Sequence, residues 1–315
     1  MSRICIFGGS GFVGRAITKQ AVAAGHQVTV ACRHPERARD MLVEGVKLVK
    51  ADITQAQAVR NTVAGHDCVI NLVGLLFQAG RNTFSAAHVQ GTEHILAGCK
   101  DAGIQQYLHM SALGAGEVPD SLYANSKAEA ETLVRKSGLN WTIFRPSIIY
   151  GDNDSFFNKF KDMLKLAPVL PLIAGEARFQ PVWVEDVARA FILSINNRHA
   201  AGQTFALGGP KTYSFRELMV MLMTTMGVHR LLLPVPMFAA KIMAFFMQLL
   251  PVPPLTPDQL KLLQHDNVIK GRNFPDMFGE AAKLEAVLPT YIRVSALEEF
   301  HQHLDQSRTS YRKLR

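Results

Sequence analysis

The stretch Phe7-Gly8-Gly9-Ser10-Gly11-Phe12-Val13-Gly14 decides the fold of this 315-residue chain. It follows an apolar run at 4–7 and opens an amphipathic stretch, the context in which three glycines at this spacing indicate a dinucleotide-binding turn. The first glycine allows a tight turn, the second lets the backbone approach a pyrophosphate, and the third lets the helix pack closely. Free N–H groups at the helix start then face the anion. The predicted pyrophosphate contacts are Gly8, Ser10, Gly11, Phe12, Val13 and Gly14.

Short apolar runs alternate with amphipathic stretches over the first 150 residues. This alternation predicts an α/β fold with a doubly wound parallel sheet, covered by helices on both faces. In such a fold the ligand crevice lies at the carboxyl ends of the strands. The strands are expected at 4–7, 28–32, 46–49, 68–72, 107–110 and 141–144.

The regular alternation ends after Pro146, where prolines become frequent. We therefore expect a dinucleotide-binding domain at 1–150 and a smaller, mostly helical C-terminal part at 151–315. A helix pattern followed by a strand pattern predicts that 182–207 returns to the sheet domain. The rest of the C-terminal part is expected to cover the crevice.

Composition narrows the class of protein. Apolar residues make up 48% of the chain and charged residues 19%, which predicts a folded globular protein. The net charge is +8, but the basic residues are scattered without interleaved aromatic residues, so nucleic acid is not an expected partner. The cysteines form no Cys-x-x-Cys pair and only His301 and His303 lie close together, so no metal site is expected. The apolar run at 4–7 is too short for the core of a signal peptide, which favours a cytoplasmic location.

The residue type at the end of the second strand indicates whether a site of this kind binds NAD or NADP. An NAD site usually has Asp or Glu there, but this chain has Cys32 followed by Arg33. The guanidinium of Arg33 can pair with a 2′-phosphate through two hydrogen bonds and stack on adenine, and Arg37 follows one helical turn later. The sequence favours NADPH. NAD and a solvated basic helix start are the alternatives.

Two further strand ends are expected to contact the nucleotide. Asp52 and Ile53, after the third strand, are placed for the adenine edge, and Leu72, Val73 and Gly74, after the fourth, for the ribose. Ordinary strand ends are the alternative interpretation of both.

Tyr123 and Lys127 are four residues apart, so both lie on one face of a helix, and Ser111 precedes the tyrosine by twelve residues. With the glycine stretch and the run Arg-Pro-Ser-Ile-Ile-Tyr-Gly at 145–151, these residues resemble the extended and atypical branches of the short-chain dehydrogenase/reductase superfamily. The resemblance implies further cofactor contacts from Pro146, Ser147 and Ile148.

Such a set of side chains permits proton transfer coupled to hydride transfer. Tyr123, with its pKa lowered by Lys127 and an oxidised nicotinamide, is expected to act as acid or base. Lys127 is also expected to hold the nicotinamide ribose, and Ser111 is expected to donate to a substrate carbonyl. In the alternative, Tyr123 and Lys127 bind the ribose while no substrate reacts.

The segment 231–255 is apolar, with Lys241 as its only charge. Its prolines leave an uninterrupted helix at 237–250, about 21 Å long against a hydrocarbon core of about 30 Å, so it cannot span a membrane. A core helix and the wall of a pocket for a lipophilic substrate are two interpretations. The third, favoured by the basic tail at 308–315, is a peripheral membrane or partner surface.

Later motifs narrow the resemblance. They are Gln-Pro-Val-Trp-Val-Glu-Asp-Val-Ala at 180–188, Phe-Ala-Leu-Gly-Gly-Pro at 205–210, Arg-Leu-Leu-Leu-Pro-Val-Pro at 230–236 and Arg-Thr-Ser-Tyr-Arg at 308–312. Over essentially the full length, the chain is similar to the NADPH-holding accessory subunit of respiratory complex I and its bacterial relatives. This resemblance implies tightly bound NADPH and a peripheral position on the inner face of the membrane, in a respiratory complex or in quinone metabolism. The intact Ser, Tyr and Lys set keeps a second hypothesis open, an NADPH-dependent reductase or isomerase of a lipophilic carbonyl compound. A nucleotide-sugar epimerase or dehydratase is disfavoured by the apolar C-terminal half.

Overall fold

A computed structural model describes residues 1–250 and 253–292. The strands are β1 Arg3–Phe7, β2 Gln27–Cys32, β3 Lys47–Lys50, β4 Cys68–Asn71, β5 Gln106–Met110, β6 Asn140–Pro146, β7 Ile149–Tyr150, β8 Val169–Ile173, β9 Arg178–Phe179, β10 Val182–Trp183, β11 Gln203–Leu207, β12 Tyr213–Ser214 and β13 Leu231–Val235. The helices are α1 Phe12–Ala23, α2 Ala56–Val63, α3 Gly91–Asp101, α4 Leu122–Arg135, α5 Phe157–Leu166, α6 Val184–Leu193, α7 Phe215–Met226, α8 Met237–Met247, α9 Pro257–Leu263 and α10 Leu284–Tyr291. The basic tail, the motif at 308–312 and the pair His301 and His303 lie outside the described residues.

A seven-stranded parallel sheet forms the centre of the fold, in the order β11-β6-β5-β4-β1-β2-β3. The doubly wound α/β fold expected from the sequence is confirmed. The winding reverses between β1 and β4, so the crevice at their carboxyl ends is where a ligand binds in folds of this kind. The residues of β4 are all buried, as expected for a strand covered on both faces.

Helices cover both faces of this sheet. On one face α1 packs against α6, with Ile17 and Phe191 fully buried between them and the strands. On the other face α2 and α3 pack together over residues such as Val59 and Ile95. The edge strand β11 pairs with β6, from Gln203 opposite Thr142 to Leu207 opposite Pro146.

A second apolar cluster lies in the C-terminal part. It is built by α5, α7 and α10 around side chains such as Phe157, Leu218 and Leu288. Beside it, β8 and β13 form a separate two-stranded parallel ribbon. This ribbon leads into α8, which packs against α9.

The apolar helix α8 ends at Met247, three residues before the end expected from the sequence. The last turn tightens, since the amides of Leu249 and Leu250 donate to carbonyls only three residues earlier. Tightening of this kind is typical of a helix that approaches prolines, which cannot continue it. Across 1–250 and 253–292, every helix is too short or too polar to traverse a bilayer.

Candidate nucleotide-binding and active site

The glycine turn after β1 has the close packing that its sequence predicts. Gly8 has a φ of +81°, a conformation that favours glycine, and lies against the backbone of Leu72 at the end of β4. A Cβ on Gly14 would come within 2.3 Å of the carbonyl oxygen of Gly8 and 2.5 Å of the Cα of Gly9. Helix α1 therefore packs directly on the turn. The third glycine serves this contact rather than one with the strand itself.

The first turn of α1 is open to an anion. Its N-cap is Gly11, no side chain caps it, and no acidic residue lies in the first turn. The amide of Gly11 donates to the oxygen of Gly8 at 3.1 Å. The amides of the first turn that follow it have no acceptor within the helix itself, and the helix dipole makes this end attractive to an anion. Val13 is buried in the core, and Ser10 lies at the surface of the turn, where its carbonyl accepts from Arg15. These residues fit the pyrophosphate of a dinucleotide.

Arg33 and Arg37 are both exposed immediately beyond β2. The guanidinium of Arg33 donates to Oδ1 of Asn82 at 3.0 Å, so the loop after β4 holds the arginine from the side. Arg37 lies in a short 3₁₀ turn. Asn82 was missed by the sequence analysis, because a contact across 49 residues leaves no local signal.

The residues after β3 and β4 that are predicted to contact the nucleotide are held by hydrogen bonds and packing within the protein. Asp52 accepts from the amide and hydroxyl of Thr54, at 2.9 and 2.8 Å. Ile53 is buried against Gly91, where a Cβ would come within 2.3 Å of its Cδ1. Across the crevice, the amide of Val73 donates to Asn71 and the amide of Leu72 donates to the oxygen of Phe7.

Helix α4 places Tyr123 and Lys127 at the carboxyl ends of β4 and β5. The ammonium of Lys127 donates to the oxygen of Met110 at 3.1 Å, and a Cβ on Gly74 would lie 3.3 Å from the same Nζ. Lys127 is almost completely buried, and burial lowers its pKa to about 8, although Glu131 opposes that change. The structure thus brings the lysine to the strand end predicted for the ribose.

Tyr123 lies edge-on to two rings of the segment before α3. Its ring centroid is 5.7 Å from that of Phe84 and 5.6 Å from that of His88. The side chain is partly buried, and the loss of hydration raises its pKa to about 12. The sequence analysis expected Lys127 and an oxidised nicotinamide to lower this pKa, whereas among the protein's own groups desolvation dominates and raises it.

His88 belongs to this site and was missed by the sequence analysis. Its Nε2 accepts from the amide of Leu75 at 2.9 Å, and its Nδ1 lies 2.8 Å from Oγ of Ser126. Ser126 donates to the oxygen of Tyr123, so the proton of the neutral imidazole must be on Nδ1. Burial, followed by the charge of Lys127, lowers the histidine pKa to about 2. His88 is therefore neutral, and its two ring nitrogens connect the loop after β4 to α4 by hydrogen bonds.

Ser111 directly follows β5 and lies close to Glu131 of α4. Its hydroxyl is buried and makes no hydrogen bond of normal geometry, yet it is near enough to Glu131 to lower the pKa of that carboxyl. Glu131 is fully buried and accepts two bonds of 2.7 Å from Arg145 and one of 2.7 Å from Arg135. Burial raises the Glu131 pKa, but these donors outweigh it and the net pKa is lowered. Glu131 is four residues after Lys127, a spacing from which helical periodicity could have found it.

The segment after β6 links the sheet to the C-terminal part. Ser147 is buried, and its hydroxyl donates to Oδ1 of Asn267 at 2.6 Å and accepts from the amide of Gln180 at 3.3 Å. The oxygen of Pro146 accepts from Leu113, and that of Ile148 accepts from Val182. The Ser147 hydroxyl is thus engaged within the protein, and a nucleotide contact from 146–148 stays a prediction.

Comparison with known proteins agrees with this geometry. A family described as NAD(P)H-binding matches residues 8–161, and a 3-beta hydroxysteroid dehydrogenase/isomerase family matches 115–234. The chain is 30% identical over 281 residues to the mitochondrial NADH dehydrogenase [ubiquinone] 1 alpha subcomplex subunit 9 of Arabidopsis thaliana, covering 84% of this chain and 70% of that protein. The chain belongs to the family of that subunit, within the atypical short-chain dehydrogenases/reductases.

Other known proteins are similar as well. A 2-alkyl-3-oxoalkanoate reductase of Stenotrophomonas maltophilia is 27% identical over 257 residues, covering 72% of this chain and 77% of the reductase. The crystal structure of an NADPH-dependent quinone oxidoreductase of Escherichia coli with NADPH has a TM-score of 0.73 at 15% identity, covering 92% and 99% of the two chains. At that identity the likeness shows the shared fold alone. The protein is an NAD(P)-binding member of its superfamily.

Proposed function

We propose that this protein holds NADPH at a membrane surface, as a peripheral component of a respiratory or quinone-related assembly. One observation carries the proposal. The open N-terminus of α1 follows β1, and the buried Lys127 lies beside Gly74, after β4, and Met110, at the end of β5, so both features lie at the carboxyl edge of one parallel sheet. The first suits a pyrophosphate and the second a nicotinamide ribose.

The preference for NADPH over NADH rests on Arg33 and Arg37. Both guanidinium groups are exposed beyond β2, where an NAD site usually has a carboxylate. Asn82 holds Arg33 in place through one nitrogen and leaves its other donors for a phosphate.

The preference is tested by titrating Arg33→Ala with both nucleotides. The loss of a charge-assisted pair of about 1.5–3 kcal/mol predicts roughly a 10- to 100-fold weaker affinity for NADPH and little change for NADH. Arg39→Ala, an exposed arginine six residues later, is the matched control and should bind both nucleotides as before. Equal losses of affinity for NADPH and NADH in Arg33→Ala would contradict the assignment of Arg33 to the 2′-phosphate.

The membrane assignment is supported by an unusual distribution of side chains on α8. Its buried face consists of Ala240 and Ala244, whereas large apolar side chains face outward. They occupy an arc about 100° wide at 3.6 residues per turn, which we call the apolar arc. The apolar arc consists of Phe238, Ile242, Phe245 and Phe246, with exposed fractions of 57–71%. Such a face suits the boundary between lipid headgroups and acyl chains.

Charge around the apolar arc favours an anionic lipid surface. The elements α5, β8, β13, α8 and α9 carry five basic residues and two acidic ones. The basic residues are Lys159, Lys161, Lys165, Lys241 and Lys261, and the acidic ones are Asp162 and Asp258. Each basic residue near an anionic surface contributes roughly 1 kcal/mol to membrane attraction.

A second candidate function is reduction of a lipophilic carbonyl compound. NADPH, when bound, would supply the hydride to the carbonyl carbon. Tyr123 would give its proton to the carbonyl oxygen, and its raised pKa of about 12 keeps it protonated at neutral pH, as an acid must be. Lys127 would orient the ribose, and the hydroxyl of Ser111, which lies close to Glu131, is the remaining donor of the predicted set.

The two candidates differ in their dependence on Tyr123. Reduction predicts slow oxidation of added NADPH with an alkyl-substituted 3-oxo compound or a quinone, abolished in Tyr123→Phe. The similarity to a 2-alkyl-3-oxoalkanoate reductase supports the choice of these test compounds. The holding function predicts that Tyr123→Phe still binds NADPH and still supports the biological role. Unchanged turnover in Tyr123→Phe contradicts the reductase as described.

A further inference from the structure

Helix α4, which carries Tyr123 and Lys127, is capped by a residue from a distant part of the chain. The carboxylate of Asp258, on α9, accepts from the amide of Leu122 at 2.8 Å, the amide of Tyr123 at 3.2 Å and the hydroxyl of Ser121 at 3.0 Å. First-turn amides of a helix have no acceptor within the helix itself. Asp258 therefore satisfies donors at the start of α4 and fixes the position of the tyrosine-bearing turn.

The next residue of α9 holds the opposite wall of the same site. The side-chain amide of Gln259 donates to the oxygen of Leu76 at 3.3 Å. Leu76 is two residues after Gly74, the position in contact with the ammonium of Lys127, and one after Leu75, which donates to His88. Both segments that enclose the predicted nicotinamide ribose are thus attached to α9.

The other face of α9 is attached to α8. Leu260 is buried against Ala240 and Ala244, the two alanines on the face of α8 opposite the apolar arc. A continuous set of contacts therefore runs from the apolar arc through Leu260 to Asp258 and Gln259, and from them to the walls of the nucleotide site. Along this path α8 and α9 pack directly against each other.

We propose that α9 couples docking of the apolar arc on an anionic bilayer to nucleotide binding at Tyr123 and Lys127. The inference rests on the proposed function, and it names a regulation of that site. A bound bilayer fixes the position of α8. A bound nucleotide fixes the loop after β4 and the start of α4. Both favour the same arrangement of α9, which contacts all three. Each therefore strengthens binding of the other, by an equal factor in both directions.

The test is a titration of the full chain with NADPH, followed by nucleotide fluorescence, with and without vesicles of phosphatidylcholine and phosphatidylglycerol. Saturating vesicles should tighten NADPH binding about fivefold or more in the wild-type protein, the usual lower range of such coupling. In Asp258→Ala and in Gln259→Ala the vesicles should still bind, but their effect on the NADPH affinity should fall to less than about twofold. The matched control is Gln264→Ala at the C-cap of α9, whose side-chain amide donates to the oxygen of Leu260, and it should keep the full effect.

Amide hydrogen exchange separates coupling from a general loss of structure. The amides of Leu122 and Tyr123 are protected by Asp258, so vesicles should slow their exchange in the wild-type protein and not in Asp258→Ala. Exchange in the buried strand β4 should stay the same in all variants if they fold. Wild-type protein that binds NADPH and vesicles with independent affinities overturns the coupling alone. Failure to bind NADPH, or to bind vesicles, overturns the proposed function and this inference with it.

Discussion

The glycine turn and α8 distribute polar and apolar groups in opposite ways. Around Gly8 to Gly14 the apolar side chains, such as Val13, are buried, and the groups left open are backbone amides. On α8 the buried side chains are two alanines, and the groups left open are phenylalanines and an isoleucine. Each surface is matched to a different surrounding, an anion in the first case and a hydrocarbon in the second. The difference indicates that the nucleotide site depends on fixed polar contacts and that α8 depends on exposed area.

Substitution of the buried carboxylate below Lys127 should have the largest effect on the nucleotide region. Glu131→Gln removes the partner of Arg145, whose guanidinium is three-quarters buried, and we expect the free energy of unfolding to fall by about 3–5 kcal/mol. Arg135 adds less, because its more exposed side chain is screened by solvent. Urea denaturation measures the change, with the exposed Glu129→Gln as control.

The pH dependence of stability checks the same residue. The pKa of Glu131 is lowered in the folded protein, so its contribution is complete above the ordinary value of 4.5 and is lost as the pH falls below it. Glu131→Gln should therefore lose less stability on acidification than the wild-type protein. An equal slope for the two proteins would show that the ion pair contributes nothing.

Gly14→Ala should come next in the size of its effect. A Cβ there would overlap the oxygen of Gly8 and the Cα of Gly9, both backbone atoms that cannot move without opening the turn. We expect nucleotide affinity to fall about 100-fold or more, because the amides at the start of α1 lose their alignment. The control is Gly103→Ala, which also has a positive φ but has open space around it, and which should cost about 1 kcal/mol of stability and no affinity. Unchanged affinity in Gly14→Ala would show that the turn does not position a ligand.

Titration of Lys127 should have a smaller effect on the site. Burial lowers its pKa to about 8, so the ammonium loses its proton between pH 7 and 9, where an exposed lysine keeps it. NADPH affinity should weaken by about tenfold over this range, since the neutral amine is a poorer donor to the ribose. Lys127→Met should bind more weakly throughout and show a flat profile. A wild-type profile that is equally flat argues against contact between the lysine and the nucleotide.

Removal of the apolar arc should affect the nucleotide region least. The double variant Phe238→Ser and Phe246→Ser changes two side chains that are 71% and 64% exposed, so the free energy of unfolding should change by less than about 0.5 kcal/mol. Binding to phosphatidylglycerol vesicles, measured by co-sedimentation, should fall at least about tenfold because both rings leave the lipid. The control pair Val43→Ser and Leu193→Ser changes exposed apolar residues far from α8 in the chain. Equal vesicle binding by both double variants would exclude α8 as the docking surface.

Local sequence patterns were sufficient to predict the fold and part of the site. The glycine spacing and the alternation of apolar runs predicted the turn and the central strands, because both follow from backbone geometry along the chain. The placement of Tyr123 and Lys127 on one helix followed from their spacing. The parts that could not be predicted depend on contacts between distant segments. His88 packs on Tyr123 from 35 residues away, and Asp258 caps α4 from α9.

The direction of the Tyr123 pKa also could not be predicted from the motif. A nearby ammonium lowers the pKa of a phenol, but the surrounding protein atoms raise it by excluding water, and only the structure shows which effect is larger. Ser111 illustrates the same limit. Its position at the end of β5 was correct, whereas its approach to Glu131 depends on the packing of α4 and on Arg145.

The most direct test of the account is the nucleotide content of the protein isolated from solubilised membranes with its partners. After denaturation, the released nucleotide is identified by chromatography and quantified against the protein. We predict close to one NADP(H) per chain in the membrane-associated fraction. Folded protein that carries no nucleotide, or that carries NAD(H) instead, would contradict the central claim.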